Sequence, residues 1–209
     1  MNRDAHAEPA EALTANLFLV RHGAHGELGR VLSGRRGGLA LSADGRAQAA
    51  AAADRLARED IRVVQTSPRE RASETATIIA ERLGVPLETV DALDEIDFGD
   101  WTGKGFDALE GDPAWTEWNE RRGSARAPGG ETMGEAVARA RTHVQGLAGQ
   151  GGGIVCVSHA DIIRGLIADT LGLGFDNMLR FDVDAASISL LLVGDWGSRV
   201  VSVNERVAA

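Results

Sequence analysis

Residues 17–23 read Leu-Phe-Leu-Val-Arg-His-Gly, so four apolar side chains run directly into a cation, an imidazole and a glycine. A short continuous apolar run is typical of a strand that is buried on both faces of a sheet. Residues 61–67 and 154–159 repeat the pattern and end in Thr66-Ser67 and Ser158-His159. Three predicted buried strands therefore each end in polar residues.

Segments with helical spacing separate these strands. Helices are predicted after the N-cap Ser42, over 72–83 before Gly84, over 133–147 and over 162–171. Two further strands are expected at 187–193 and 200–203. This alternation predicts an α/β protein with three α/β/α layers, in which helices cover both faces of a mostly parallel central sheet.

The three polar strand ends are expected to meet. In sheets of this class, ligands bind beyond the carboxyl ends of the strands. His22 and His159 each follow a predicted strand, although they are distant in sequence. We therefore expect both imidazoles at one crevice, together with Arg21.

The length of 209 residues suits one domain. Residues 1–15 are expected to be a flexible leader and 16–209 a single domain. Within it, 91–130 is less periodic and holds three of the four tryptophans, so we interpret it as an insertion that covers the site. Cys156 is the only cysteine, which excludes an intrachain disulfide and a cysteine-based metal cluster.

The charge and hydropathy patterns exclude some partners. Thirty-one acids against 22 bases give a net charge of −9 without a basic run, which disfavours nucleic acid and anionic membranes. No apolar run approaches the ~18 residues of a membrane span, and residues 1–14 lack a signal-peptide core. We predict a cytoplasmic protein, and an apolar edge strand near Leu190–Val193 would permit a homodimer.

Two histidines and several arginines at one crevice suit phosphoryl transfer. A neutral imidazole can attack phosphorus, and guanidinium groups stabilise the charge of the phosphoryl oxygens. A carboxylic acid can then protonate the departing alkoxide. If arginines supply the positive charge, the reaction needs neither a metal nor another cofactor.

The motifs resemble those of the histidine phosphatase superfamily, which is phosphoglycerate-mutase-like. Ordered matches extend from 17 to about 193, and the segments that carry them are Leu19–Gly23, Leu39–Ala49, Thr66–Ala76, Leu93–Trp101, Pro128–Glu131 and Val157–His159. The resemblance implies that His22 becomes a phosphohistidine and that Arg21, Arg71 and His159 hold the phosphoryl oxygens. It also implies that Glu95 protonates the leaving group and then assists water, with the nearby Asp91, Asp94, Asp97 and Asp100 open either as substitutes for it or as a solvated face. A metal-independent phosphatase for a small phosphorylated metabolite is expected.

The chain departs from the family pattern after the first histidine. Many members place an Asn there to touch the phosphate, whereas residues 24–26 are Ala-His-Gly and no Asn lies between His22 and Asn119. Ser33 and Arg35 are candidates to replace that contact, and His25 is a candidate for the pocket wall.

A second departure follows the second histidine, where Ala160-Asp161 replaces the common glycine pair. We expect Ala160 at the substrate. Asp161 is a candidate to orient a histidine or to narrow the pocket, but we favour its interpretation as an exposed acid at a helix start. Arg121, Arg122 and Arg126 are candidates either for a second anionic group of the substrate or for a solvated charge run. The tryptophans Trp115 and Trp118 are expected to pack rather than to bind substrate.

Three other functions stay open at this point. A phosphoglycerate mutase would return the phosphoryl group to its bound product, but the chain is short for one. A phosphoprotein phosphatase or phosphorelay partner would need an open site, whereas the 91–130 insertion favours a covered pocket. A metal hydrolase could use His22, His25 and Asp161, but no clear third-ligand set is present.

Overall fold

A computed structural model describes residues 14–208 and contains a six-stranded sheet with helices on both faces. The strands are β1 Ala15–Arg21, β2 Ile61–Thr66, β3 Leu87–Thr89, β4 Gly153–Ser158, β5 Ile188–Gly194 and β6 Gly197–Glu205. The helices are α1 Ala43–Leu56, α2 Glu70–Leu83, α3 Phe106–Leu109, α4 Pro113–Glu120, α5 Met133–Gln145 and α6 Ala160–Thr170. Three 3₁₀ turns lie at Asp91–Leu93, Gly99–Trp101 and Phe175–Arg180.

The strand order across the sheet is β3-β2-β4-β1-β5-β6. The first four of these strands are parallel, β5 runs antiparallel to β1, and β6 runs antiparallel to β5. The predicted three-layer α/β class with a mostly parallel sheet is therefore confirmed. Because β2, β4 and β1 are neighbours, their carboxyl ends lie side by side.

Strand β1 shows how the sequence creates two cores. Successive side chains of a strand point to opposite faces. Leu17 and Leu19 pack into the core formed with α5, α6 and the 91–130 segment, whereas Phe18 and Val20 pack into the core formed with α1 and α2. Both faces of the sheet are thus covered, which is why the run is continuously apolar.

The predicted helix ends are largely observed. The Ser42 side chain accepts a hydrogen bond from the Gly45 amide, and Gly84 closes α2 in the left-handed conformation with φ 67°. The third predicted helix ends at Gln145 instead of 147, and the fourth begins at Ala160 instead of 162. Strand β3 escaped prediction because its three residues are all exposed and it forms only by pairing with β2.

Two sequence expectations need correction. Ala15 already belongs to β1, so the leader predicted for 1–15 is too long, and residues 1–13 lie outside the described part. Strand β5, which holds Leu190–Val193, is hydrogen-bonded to β1 on one side and β6 on the other, so it is not an edge. The predicted homodimer loses that support and stays a prediction.

The 91–130 segment consists of short helices and turns packed on the core. Trp101 and Trp118 are fully buried, and Trp115 packs edge-on against Trp101 with ring centroids 5.2 Å apart. The expected packing role of Trp115 and Trp118 is therefore observed. Among residues 14–208, no helix has both the length and the apolar character to cross a membrane.

Candidate active site

The polar ends of three parallel strands converge as expected. His22 follows β1, Ser67 follows β2, and His159 follows β4 as the N-cap residue of α6. The imidazole rings of His22 and His159 lie 5.2 Å apart between centroids, and both side chains are buried. The topology of the sheet thus places two sequence-distant histidines in one site.

His22 presents one ring nitrogen for chemistry. Its Nδ1–H donates to the Gly23 carbonyl oxygen at 2.9 Å, so Nε2 carries the lone pair. Arg71 donates to that lone pair from its Nε at 3.2 Å. Burial, with the nearby Arg71 and Arg21 charges, holds the pKa of His22 well below its usual value. The imidazole is therefore neutral near pH 7, as a nucleophile requires.

Two guanidinium groups, those of the buried Arg71 and the half-buried Arg21, keep hydrogen-bond donors unused. Arg71 donates through Nη2 to the Gly34 carbonyl oxygen at 2.7 Å, and its Nη1 has no partner among the described residues. Arg21 donates through Nη1 to the Val183 carbonyl oxygen at 2.7 Å, and within residues 14–208 its Nε is likewise unpaired. Buried N–H groups without partners are costly, and a phosphoryl oxygen would satisfy them.

His159 is held by a chain of hydrogen bonds. Arg71 donates through Nη2 to its Nδ1 at 3.1 Å, so the ring proton lies on Nε2 and is donated to Ser67 Oγ at 2.8 Å. Ser67 Oγ in turn donates to Asp94 Oδ1 at 3.2 Å. Sequence reasoning assigned no role to Ser67 and considered Asp94 only as a substitute acid for Glu95 or as part of a solvated face. The available signal was the position of Ser67 within the motif Thr66–Ala76 and of Asp94 within the motif Leu93–Trp101.

Glu95 is a largely buried acid beside His159, with 12% of its side chain exposed. Its Oε2 lies 3.8 Å from His159 Nδ1, and its Oε1 accepts a hydrogen bond from the Ile96 amide at 2.9 Å. Burial, followed by the Asp161 charge, raises the pKa of Glu95 to about 7, although Arg71 opposes the change. A carboxyl group that is half protonated near neutral pH can serve first as an acid and then as a base.

Arg35 lies behind Glu95 and does not line the cavity. Its Nε donates to the Glu95 carbonyl oxygen at 2.8 Å, and its Nη2 lies 2.9 Å from the Glu131 carboxylate. Asp94 and Asp97 lie 3.5 and 3.7 Å from the same guanidinium. The structure therefore places Arg35 as a residue that positions the Glu95 backbone, instead of the expected phosphate contact.

A cavity of about 220 Å³ opens above His22. Its wall consists of Arg21, His22, His25, Leu28, Gly29, Val31, Leu32, Ser33, Gly34, Arg71, Glu95, Phe98, Phe106, Ala160 and Asp161. Ser33, His25 and Ala160 are part of this wall, and the phosphate contact expected of Ser33 stays a prediction. Burial, followed by the Arg71 charge, lowers the pKa of His25 to about 4, so this ring is neutral.

Asp161 is not the exposed acid that its position at a helix start suggested. Its carboxylate lies in the cavity wall, 3.2 Å from Arg122 Nη1 and 3.5 Å from Arg164 Nη1. Arg122 is itself buried. Within residues 14–208, no group of three or more His, Cys, Asp or Glu side chains is arranged to hold a metal ion.

The sequence as a whole matches one family. A family model for the histidine phosphatase superfamily (branch 1) covers residues 17–206. The chain belongs to this superfamily. Relatives of this chain are named phosphoserine phosphatase and glucosyl-3-phosphoglycerate phosphatase, and the chain is accordingly a hydrolase of phosphate monoesters.

Similar proteins support this membership. The chain is 30% identical over 195 residues to phosphoserine phosphatase 1 of Hydrogenobacter thermophilus, covering 90% of this chain and 91% of that protein. It is 34% identical to a bifunctional protein of Mycobacterium tuberculosis over 94% of this chain, yet it spans only 55% of that relative. A solved mycobacterial glucosyl-3-phosphoglycerate phosphatase superposes with a TM-score of 0.82 at 26% identity, covering 92% of this chain and 99% of that one.

Proposed function

We propose that this histidine phosphatase hydrolyses a small phosphate monoester without a metal, through a phosphohistidine on His22. The observation that carries the proposal is the neutral Nε2 of His22 beside two guanidinium groups with unused donors. The names of two similar proteins, a phosphoserine phosphatase and a glucosyl-3-phosphoglycerate phosphatase, describe enzymes for small phosphorylated molecules.

In the first step, the phosphoryl oxygens take up the free N–H groups of Arg21 and Arg71. The lone pair on Nε2 of His22 attacks phosphorus, so a P–N bond forms while the ester P–O bond breaks. The departing alkoxide takes the proton from the Glu95 carboxyl group. The guanidinium groups stabilise the negative charge on the phosphoryl oxygens during the transfer.

In the second step, Glu95 acts as a carboxylate. It accepts a proton from water, whose oxygen attacks phosphorus as the P–N bond breaks. Inorganic phosphate leaves, His22 returns to its neutral form and Glu95 is again protonated. One residue therefore serves both half-reactions, which is consistent with a pKa of about 7.

His159 contributes by changing its proton content. In the empty site its Nδ1 accepts from Arg71. Burial, followed by the Arg71 charge, holds the pKa of His159 well below its usual value. The negative charge of a bound phosphoryl group would offset this and favour uptake of a proton from solvent at Nδ1, which then turns from Arg71 and donates to a phosphoryl oxygen. The Ser67 and Asp94 contacts keep the ring in place during this change.

The site geometry favours a small molecule over a protein side chain. Residues of the 28–34 loop line the cavity together with Phe98 and Phe106 of the 91–130 segment. We keep the mutase and phosphoprotein alternatives as outcomes of a substrate screen. A mutase would transfer the group to an added acceptor alcohol faster than to water.

The decisive experiment combines turnover with trapping. We expect hydrolysis of 4-nitrophenyl phosphate to persist in EDTA, and we expect an acid-labile, alkali-stable phosphoryl adduct after rapid quenching. His22→Ala removes the adduct, whereas His143→Ala, which changes a histidine bonded to Gln65 outside the cavity wall, retains it. Loss of activity on chelation, or an adduct that survives in His22→Ala, contradicts the proposal.

A further inference from the structure

Glu131 is the last residue of the motif Pro128–Glu131, and it has no role in the proposed mechanism. Its side chain is not part of the cavity wall. Its carboxylate lies 2.9 Å from Arg35 Nη2 and 3.4 Å from Arg139 Nη2. These two arginines share a second acceptor, because Arg35 Nε and Arg139 Nη2 each donate to the Glu95 carbonyl oxygen at 2.8 Å. Two guanidinium groups, bridged by one carboxylate, therefore hold the backbone of the proposed acid.

The peptide group between Glu95 and Ile96 connects this contact with the Glu95 side chain. Its carbonyl oxygen accepts from the two guanidinium groups, and its N–H donates to Glu95 Oε1 at 2.9 Å. The C=O and N–H bonds of a planar peptide group turn together. Holding the carbonyl oxygen therefore also holds the N–H that binds the carboxyl group.

The Glu131 carboxylate keeps the two guanidinium groups at the same carbonyl oxygen. Two positive charges so close together repel each other, and the negative charge between them offsets that repulsion. The carboxylate is itself fixed, because Glu131 Oε2 accepts from the Asp97 amide at 3.0 Å and the Glu131 amide donates to the Asp97 carbonyl oxygen at 2.8 Å. Glu131 is thus tied to the backbone two residues beyond Glu95.

Two glycines allow the two segments to approach this closely. A Cβ atom at Gly130 would lie 2.1 Å from the Asp97 carbonyl oxygen, and one at Gly99 would lie 2.1 Å from the Pro128 carbonyl oxygen. Only a residue without Cβ fits at such a distance. The glycine that precedes Glu131 therefore lets its carboxylate reach the segment that carries Glu95.

We infer that Glu131 is a positioning residue that acts, through Arg35 and Arg139, on proton transfer from Glu95 to the leaving group. This inference rests on the proposed function, since it assumes that Glu95 is the acid. Proton transfer requires the acid within hydrogen-bond reach of the departing oxygen, and it matters most where that oxygen is strongly basic. A displaced Glu95 should therefore slow esters of weakly acidic alcohols most.

The test compares phenyl phosphate with 4-nitrophenyl phosphate in Glu131→Gln. The nitro group delocalises the charge of the departing oxygen, so this ester depends less on a proton. A glutamine has one carbonyl oxygen and no charge, and it cannot bridge both arginines. We expect kcat/KM to fall about tenfold for phenyl phosphate and less than about threefold for 4-nitrophenyl phosphate. A residue that only stabilised the fold would lower both values equally.

Glu135→Gln is the matched control. Glu135 lies in the first turn of α5 and pairs with Arg126, which is exposed and not part of the cavity wall. A glutamine at this position also completes the capping box with Thr132. The ratio of the two kcat/KM values should not change in this variant.

The effect of Glu131 must act through Glu95. Glu95→Gln alone should lower kcat/KM more for phenyl phosphate than for 4-nitrophenyl phosphate. Adding Glu131→Gln to it should leave the ratio of the two values as it is in Glu95→Gln. Equal losses for both esters in Glu131→Gln, or a further change of the ratio in the double variant, overturn the inference.

Arg139→Lys decides the question if Glu131→Gln does not fold. Arg139 donates through Nη1 to the Ala92 carbonyl oxygen at 2.8 Å and through Nη2 to that of Glu95, and a lysine has no such planar pair of donors. Phenyl phosphate should again be affected more, and equal losses overturn the inference. Failure of the proposed function looks different. In that case Glu95→Gln itself leaves the ratio unchanged, or hydrolysis does not depend on His22.

Discussion

The Nε atom of Arg71 lies 3.2 Å from Nε2 of His22, the atom proposed to attack phosphorus. The same side chain reaches His159 Nδ1 at 3.1 Å and the Gly34 carbonyl oxygen at 2.7 Å. One buried guanidinium therefore connects both histidines with the loop above them. Its remaining donor, Nη1, has no partner among residues 14–208.

This connection predicts a large kinetic effect for Arg71→Lys. A lysine keeps one positive charge but loses the planar set of donors that serves three partners at once. We expect kcat/KM for 4-nitrophenyl phosphate to fall by about 10²–10³-fold. Arg82→Lys, at the other end of α2 and paired with Asp54 on the surface, should leave it unchanged. Equal effects in the two variants would contradict the role of Arg71.

The pH dependence should reflect Glu95 on the alkaline side. Because its pKa is raised to about 7, the proton needed by the leaving group is lost as the pH rises through that value. Since burial holds the pKa of His22 well below its usual value, the nucleophile stays neutral far into the acid range. We expect kcat/KM to fall above about pH 7. Glu95→Gln should abolish that alkaline limb along with most activity, and an unchanged profile would point to another acid.

The same carboxyl group should make the folded state less stable at alkaline pH. Between the usual value of 4.5 and about 7, the folded protein binds more protons at Glu95 than the unfolded chain does, so the unfolding free energy declines as the pH rises. Glu95→Gln removes this cost. We expect it to raise the unfolding free energy above pH 7 by up to about 3 kcal/mol.

Thermal unfolding at two pH values checks this expectation. The gain from Glu95→Gln should disappear near pH 4, where both states are protonated. Glu110→Gln, on the surface, should show no such pH-dependent gain. If Glu95→Gln were destabilising at both pH values, ionisation of Glu95 would not be what lowers the unfolding free energy at alkaline pH.

The neighbours Arg121 and Arg122 should differ sharply in their contribution to stability. Arg122 is buried against Asp161, Asn119 and Trp118, so Arg122→Ala leaves a partly buried carboxylate with one partner fewer. We expect a loss of about 2–4 kcal/mol in the unfolding free energy. The Arg121 side chain is 65% exposed, and Arg121→Ala should cost less than about 0.5 kcal/mol. Urea unfolding measures both, and similar losses would argue against the buried pair.

The parts of the site that follow from topology were predictable from sequence. Buried apolar runs identify the strands, and parallel neighbours bring the residues after their carboxyl ends together. This reasoning, with the motifs, located His22, His159 and Arg21 at one crevice, and the structure gathers Arg71 and Glu95 beside them.

The parts that depend on side-chain partners were not predictable in the same way. Arg35 lies soon after the first motif, Leu19–Gly23, in the sequence. In the structure, however, its guanidinium forms ion pairs with Asp94 and Glu131 from two later segments, and these contacts hold it outside the cavity wall. Asp161 lies in the first turn of α6, a position that suits solvent as well as a cavity wall. The contact with the buried Arg122 places Asp161 in the cavity wall instead of in solvent, and the two residues are 39 positions apart in the sequence.

The aromatic packing of the 91–130 segment couples the cavity wall to the intrinsic fluorescence of the tryptophans. Phe98 lies in the cavity wall and meets the Trp118 ring edge-on at 5.9 Å, and Trp118 in turn contacts Trp101 at 6.1 Å. The chain has no tyrosine, and three of its four tryptophans lie in this segment. A ligand that displaces Phe98 will therefore alter the intrinsic fluorescence, so that occupancy of the cavity can be followed without a label.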